Sequence, residues 1–266
     1  MSDDTEHLTT GWEDEVPADD SLLRAFVLTT VERSEWIASA VDGRVERTGA
    51  LSLVDAGSPI WYDNLCTFLR PLSADEAQSA VADALAFFPP ERAFVVVSAW
   101  PIPHAGDLGI ELMGHPPFMF RPAGPPPSGR RGEGLDVRRV TDADELAVFF
   151  RTMVEAYPME GGDSPLADPA VLSDDLRFWV GYEDGRPVGT AGTYVAHGTN
   201  DVEWISVYDE HRGKGYGEEL TWVATLAEPD LPAVLIASDP GQPVYEKMGY
   251  VRLTRLSLWF RPPGAG

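Results

Sequence analysis

The sequence predicts an α/β protein in which a mixed, mainly antiparallel central sheet is flanked by helices, with two such domains in tandem. Three observations lead there. Beyond residue 134 the apolar residues switch repeatedly between a period of two and a period near 3.6, so strands and helices alternate along the chain. Residues 122–134 (Pro-Ala-Gly-Pro-Pro-Pro-Ser-Gly-Arg-Arg-Gly-Glu-Gly) are too rich in proline and glycine for a helix or a central strand and read as a linker. The segment before that linker repeats, more faintly, the closing pattern of the segment after it. The resulting division is an acidic tail at 1–20, a first domain at 21–121, the linker at 122–134 and a second domain at 135–266.

In the second domain Leu135 to Val140 alternates as a strand does, and Thr141 stands at a helix N-cap position with Asp144 three residues on. The helix that follows carries Leu146, Phe149, Phe150, Met153 and Tyr157 on one face and is stopped by Pro158. A second helix is expected around Pro169 to Leu176. Phe178 to Glu183, a turn at Asp184-Gly185, Pro187 to Ala196 and Val202 to Val207 predict an antiparallel meander. A helix from Glu218 to Ala227, a buried strand Ala233 to Ala237, a short helix Gln242 to Met248 and a last strand Arg252 to Phe260 complete the order β-α-α-β-β-β-α-β-α-β.

In the first domain Ser73 to Glu76 has the form of a capping box. Ala77, Ala80, Val81, Ala84, Leu85 and Phe88 then recur at helical spacing until Pro89 and Pro90. Ala93 to Ala99 reads as a buried strand. Glu111-Leu-Met-Gly-His115 echoes Glu246-Lys-Met-Gly-Tyr250, and Gly106 stands to Gly241 at the same separation. The first domain lacks a glycine loop before its helix, where Arg70-Pro-Leu-Ser73 stands instead, and Ile110 takes the place corresponding to Tyr245.

Composition narrows the partners. A hydrophobic content of 44% supports a real core, and a formal charge of −23 repels polyphosphate and anionic lipid, so neither nucleic acid nor a membrane surface is expected. A cationic amine suits that field. Cys66 is the sole cysteine, which rules out an intrachain disulfide and makes the cytoplasm the expected compartment. No apolar stretch approaches the ~20 residues of a membrane helix, and Asp3, Asp4 and Glu6 stand where a signal peptide would be positive. His104, His115, His197 and His211 have no ligand spacing, so no metal is expected.

The chemistry is concentrated at Arg212-Gly-Lys-Gly-Tyr-Gly217, between a strand and a helix. Gly213, Gly215 and Gly217 permit backbone conformations that a β-carbon penalises, and a helix opening there aims unpaired N–H groups and the positive dipole end at an anion. A dinucleotide-binding Gly-x-Gly-x-x-Gly fails because residue 218 is Glu218, and no Gly-x-x-x-x-Gly-Lys-Ser/Thr run exists. What remains, Arg-x-x-Gly-x-Gly after Ile205-Ser-Val207, together with Gly241 to Tyr250 downstream, resembles the signature of the GNAT N-acetyltransferase superfamily. The element order resembles its acyl-CoA N-acyltransferase fold over essentially the whole of residues 135–260.

That resemblance implies acetyl-CoA as co-substrate, in a cleft where the strand ending at Val207 diverges from the strand beginning near Ala233. Its pyrophosphate would lie over Arg212, Gly213, Lys214, Gly215, Tyr216 and Gly217, with Ile205 and Val207 on the adjoining strand. A main-chain N–H near Val207 would polarise the thioester carbonyl, and Tyr245 would protonate the leaving sulfur. Period-two alternation puts Asp201, Glu203, Ile205 and Val207 on one face, with Glu203 the first choice of general base and Asp201 the reserve. Glu160 and Asp163, in the loop from Tyr157 to Ser164, would greet a cationic amine. The implied activity is acetyl transfer to an amine, small-molecule or protein, by direct attack in a ternary complex. A non-catalytic acyl-CoA-binding module is the alternative, and a homodimer is left open.

Overall fold

A computed structural model describes residues 21–126, 134–157 and 164–264; the expected acidic tail, most of the linker, and Glu160 and Asp163 fall outside them. The strands in chain order are β1 (Arg44–Arg47), β2 (Leu51–Asp55), β3 (Leu65–Phe68), β4 (Phe94–Ser98), β5 (Glu111–Gly114), β6 (Pro117–Arg121) and β7 (Asp136–Arg139). They continue with β8 (Leu176–Glu183), β9 (Arg186–Ala196), β10 (Thr199–Val207), β11 (Ala233–Ile236), β12 (Val251–Arg255) and β13 (Ser257–Arg261). The helices are α1 (Leu22–Ala40), α2 (Ala74–Phe87), α3 (Ala143–Ala156), α4 (Tyr216–Thr225) and α5 (Gln242–Lys247).

These strands build two mixed sheets, and each sheet takes one strand from the opposite half of the chain. The first runs β1-β2-β3-β4-β13-β5 and the second β12-β6-β11-β10-β9-β8-β7. Strand β6 lies antiparallel between β11 and β12, with Phe120 opposite Val234 and Val251. Strand β13 lies antiparallel between β4 and β5, with Phe260 opposite Val95 and Glu111. Each sheet has one parallel step, β3 to β4 and β10 to β11, and a parallel step needs a crossover, supplied by α2 and α4. The two halves therefore repeat one architecture: a run of antiparallel strands (three in the first half, four in the second), a helix, a parallel strand, an edge strand, and a last strand given away.

This repeat corrects the register of the short sequence echo. Glu111 to Gly114 is strand β5, whereas Glu246 and Lys247 end helix α5, so the two segments are not counterparts. By position in the sheet β5 corresponds to β12, and β6 to β13. The single last strand expected from Arg252 to Phe260 is two strands. They part at Leu256, which is buried and donates its N–H to the carbonyl of Pro116 at 3.0 Å.

Three further local differences have physical reasons. The N-cap of α3 is Asp142, whose carboxylate accepts from the N–H of Glu145 at 2.9 Å; Thr141 instead donates to the Glu145 carboxylate. Pro169 to Leu176 forms only a short 3-10 turn, Pro169–Val171. The surface a helix would have covered is taken by α1, where Ile37 joins Phe149, Phe150 and Phe178 and the Trp36 indole donates to the carbonyl of Val171 at 3.1 Å. Helix α1 is thus buried between two sheets, and Phe26, Val27, Leu65, Val95, Phe118 and Val234 form a core that belongs to both halves.

The exchange generates a prediction. Residues 134–266 expressed alone lack β6, which leaves the Val251 to Arg255 edge without a partner, and lack α1. This fragment is expected to show no cooperative thermal transition by circular dichroism, and co-expression with residues 1–133 is expected to restore a soluble complex that co-elutes. A cooperatively folded, monomeric 134–266 fragment would show that the exchange is dispensable.

Candidate active site

The site begins with an irregularity in β10. Its register with β9 is regular from Thr199 opposite Ala196 to Glu203 opposite Gly192, but Ser206 then stands opposite Thr190, so β10 holds one extra residue. This is a β-bulge, and it is taken up by Trp204, whose φ of 53° is unusual for a bulky side chain. The indole lies over Gly192, where a β-carbon would come within 2.6 Å of its ring, and leans on Phe178 at 5.3 Å between centroids. Glycine at 192 is the space the bulge needs.

The bulge reverses the alternation that follows it. Val202 and Val207 both pack toward Leu220 of α4, whereas Ser206, hydrogen-bonded to Thr190 at 2.7 Å, follows Asp201 and Glu203 on the other face. The expectation that Asp201, Glu203, Ile205 and Val207 share a face therefore fails beyond Glu203. The parallel pairing of β10 with β11 stops at the same place: Asn200 opposite Ala233 and Asp201 opposite Val234 are its two registered pairs. Beyond them the strands part around a cavity of about 270 Å³.

Glu203 to Ser206 form one wall of this cavity, Ile236 to Ser238 another, and Tyr245 reaches it from α5. The first half closes it with Arg33 of α1, Trp61 and Tyr62 of a 3-10 turn, and Met113 of β5. Arg33 is buried and lies over the Trp204 ring at 5.3 Å. Its Nη1 hydrogen-bonds the carboxylate of Asp201 and lies 2.8 Å from Oε1 of Glu203, and the Tyr62 hydroxyl donates to Oε2 of Glu203 at 3.4 Å. Burial opposes the charge on Arg33, yet the two carboxylates hold its guanidinium firmly protonated. Burial pushes Asp201 well above the usual carboxylate range, partly offset by Arg33 and reinforced by Glu203. One guanidinium shared by two buried carboxylates cannot keep both ionised cheaply.

The Tyr245 phenol is pushed up to about 12, by burial first and by the charge of Glu203 second, against a smaller pull from Thr221. It is therefore a proton donor throughout the physiological range.

At the other end of α4 the glycine loop has the expected backbone. Gly213 and Gly215 have φ of 79° and 85°, and Gly215 is the N-cap of α4 with no side-chain cap. Helix α2 presents the opposite arrangement. Its Ser73 hydroxyl accepts from the N–H of Glu76, and the Glu76 carboxylate accepts from the N–H of Ser73 at 2.8 Å, so a side chain already fills the anion position. The charged residues around the glycine loop are partnered: Arg212 with Asp209 at 2.8 Å and the carbonyl of Val207 at 3.3 Å, Lys214 with Glu183 at 2.8 Å. Glu183 also accepts from the Tyr216 hydroxyl and lies 2.8 Å from Nδ1 of His211; these donors, Lys214 foremost, lower it to about 2.

Of the residues singled out from sequence, Glu203, Ile205 and Tyr245 meet at the cavity. Asp201 lies fully buried beside it, Val207 packs under α4, Arg212 to Gly215 form the turn leading into α4, and Tyr216 and Gly217 are its first residues. Among the described residues no group of three or more His, Cys, Asp or Glu side chains is placed to hold a metal ion.

Residues 174–252 match the family model described as an acetyltransferase (GNAT) domain. This stretch of the chain is a GNAT acetyltransferase domain. The mycothiol acetyltransferase of Nocardiopsis dassonvillei is 34% identical over 95 residues, a match covering 32% of this chain and 29% of that protein. A GCN5-related N-acetyltransferase from Kribbella flavida superposes with a TM-score of 0.69 at 20% identity, over 92% of this chain and 97% of that one. A GCN5-related N-acetyltransferase from Sphaerobacter thermophilus gives 0.54 at 15%, over 80% and 82%. These likenesses establish the acyl-CoA N-acyltransferase fold, and they extend across the first half as well as the GNAT domain.

Trp61 and Tyr62 had no warning in the sequence, because their place beside the GNAT domain depends on how the two sheets pack. The one available signal was Arg33 itself, a cation among the apolar residues of α1.

The strained carboxylate generates a prediction. A carboxyl whose folded pKa is raised keeps its proton when folded but loses it near pH 4 when unfolded, so its share of stability is present at low pH and is lost as pH rises toward the folded value. Asp201→Asn holds the neutral form at every pH. Its thermal midpoint should exceed the wild type's by about 2–4 °C at pH 8, with the gap closing by pH 5. A difference that does not change with pH would remove the buried carboxyl from the account.

Proposed function

We propose that this protein is an acetyl-CoA-dependent N-acetyltransferase that moves the acetyl group to an amine by direct attack in a ternary complex. The observation that carries this reading is the parting of β10 from β11 at the bulge, with a helix N-terminus free of a side-chain cap behind it and a protonated Tyr245 at the opening. The N–H groups of α4's first turn and the left-handed Gly213 and Gly215 suit a pyrophosphate, which acts on backbone donors and needs no side chain. The cationic groups beside them are tied to acidic partners, so Arg212 and Lys214 would add to phosphate binding only by exchanging those partners.

The bulge takes main-chain groups of Trp204 and Ile205 out of register with β9, and their N–H groups are the proposed donors to a developing oxyanion. Glu203 is the proposed base, directly or through water, since it reaches the cavity; Asp201 is assigned to hold Arg33. Tyr245 returns a proton to the departing thiolate. In this reading residues 21–121 are a copy that has lost the cofactor seat and now shapes the acceptor side, beyond the 122–134 linker. The buried lone Cys66 and the absence, among the described residues, of a helix long and apolar enough to cross a membrane agree with a cytoplasmic enzyme.

A second reading, acyl-CoA binding without turnover, is favoured by one observation: Glu203 is already engaged by Arg33 and Tyr62. Thiol release from acetyl-CoA across a panel of amines separates the two. Acceptor-dependent release is expected, with kcat reduced about 10²-fold in Tyr245→Phe and acetyl-CoA affinity unchanged by calorimetry. Gly215→Glu puts a side chain and a negative charge at a left-handed position, and should abolish acetyl-CoA binding. Binding without release on any amine would establish the second reading, and no binding to the wild type would sink both.

A further inference from the structure

The cavity differs along its length in a way that specifies an acceptor. Its charged lining residues are Arg33 and Glu203. The rest of the lining is mainly apolar, with Trp61, Leu65, Val97 and Met113 from the first half and Leu258 of the exchanged strand forming a wall apart from the hydroxyls of Ser206, Ser238 and Tyr245. A polar acceptor such as an amino sugar would press its hydroxyls against these side chains without partners. Each unpaired hydroxyl weakens binding by roughly tenfold or more. An aromatic or branched aliphatic body meets no such cost.

The inner end of the cavity gathers carboxyl groups around one cation. Asp201 and Glu203 present two carboxyl groups to one guanidinium. Oε1 of Glu203 is buried within ion-pair distance of Arg33 but receives no hydrogen bond. Glu203 is the carboxylate that lines the cavity and so the acceptor an arriving ammonium would meet, and the acidity of the whole chain favours its arrival. At about 270 Å³ the cavity is at the small end for ligand sites, which fits a body of one or two rings.

We propose that the acceptor is a small primary amine on an apolar, ring-sized body, with its ammonium at Glu203 and its body against Trp61, Tyr62 and Met113. This rests on the acetyltransferase reading and adds the substrate class. Trp61 and Tyr62 then determine specificity from a half of the chain that carries no cofactor seat.

Two measurements on the full-length chain test it. With acetyl-CoA as donor, phenethylamine, tryptamine and isopentylamine are expected to exceed glucosamine, lysine and spermidine in kcat/KM by about 30-fold or more. By calorimetry without cofactor, phenethylamine should bind and glucosamine should not, and this result stands or falls apart from any turnover. Trp61→Ala should raise KM for phenethylamine at least tenfold with acetyl-CoA affinity within twofold. Met113→Lys, at a half-exposed position that tolerates change, should reduce kcat/KM for the apolar amines while the thermal midpoint holds. Equal or better use of the polar amines overturns the proposal. So does a preference for octanoyl-CoA over acetyl-CoA, which would give the apolar volume to the acyl chain. Failure to bind acetyl-CoA while phenethylamine still binds would overturn the acetyl-transfer reading and leave an amine site.

Discussion

Strands β6 and β13 complete their sheets only when the halves of the chain fold against each other, because each strand is hydrogen-bonded on both sides within the opposite sheet. The exchange forces the sheets close enough for α1 to be buried between them, and it carries Leu258 into the wall of the cavity. Most of what distinguishes the site follows from that approach. Arg33 reaches Asp201 and Glu203 across more than 160 residues of chain, and Tyr62 reaches Glu203 across nearly as many. The first half supplies a strand to the second sheet, a helix between the sheets and a wall of the cavity.

The two halves also differ in how their crossover helices begin. Helices α2 and α4 occupy equivalent crossover positions, and both begin with four N–H groups that need acceptors. In α2 the Ser73 hydroxyl takes the N–H of Glu76 and the Glu76 carboxylate that of Ser73, which stabilises the helix by roughly 1 kcal/mol and puts a carboxylate where an anion would sit. In α4 glycine forgoes that stability and accepts a left-handed cap, a conformation that costs other residues about 1–2 kcal/mol. A helix left without a side-chain cap is a standing cost unless a ligand supplies the acceptor.

Much of the second half was legible in sequence because glycine and proline punctuate it: Gly185 turns the meander, Gly213 to Gly217 open α4, and Gly241-Gln-Pro opens α5. Helix α1 was not legible. Wedged between two sheets, it buries residues around most of its circumference, so no single stripe at 3.6 spacing marks it. The exchange was hidden for a related reason: Pro117 to Arg121 and Ser257 to Arg261 are both short and apolar, and either would fit either sheet. The bulge was hidden because its left-handed residue is Trp204, where a sequence reading looks for glycine or asparagine.

The ion cluster beneath the cavity raises the question of why so costly a group is kept. Replacing a buried ion pair by apolar side chains is often neutral or stabilising, so Arg33 and Asp201 are poorly explained as a source of stability. They are better explained by what they hold in place. Arg33 lies on the Trp204 indole and beside Glu203, while Asp201 anchors its guanidinium from below. The bulge that parts β10 from β11 and the carboxylate that faces the cavity are therefore positioned by the same side chain, which comes from the other half of the protein. The charge also raises its neighbours' affinity for protons: Glu203 helps keep Tyr62 and Tyr245 as neutral phenols. A cation delivered to Glu203 would relieve that field, easing the release of a proton from Tyr245 as the acceptor is seated. On the proposed mechanism, acceptor binding and proton donation would be coupled through one carboxylate.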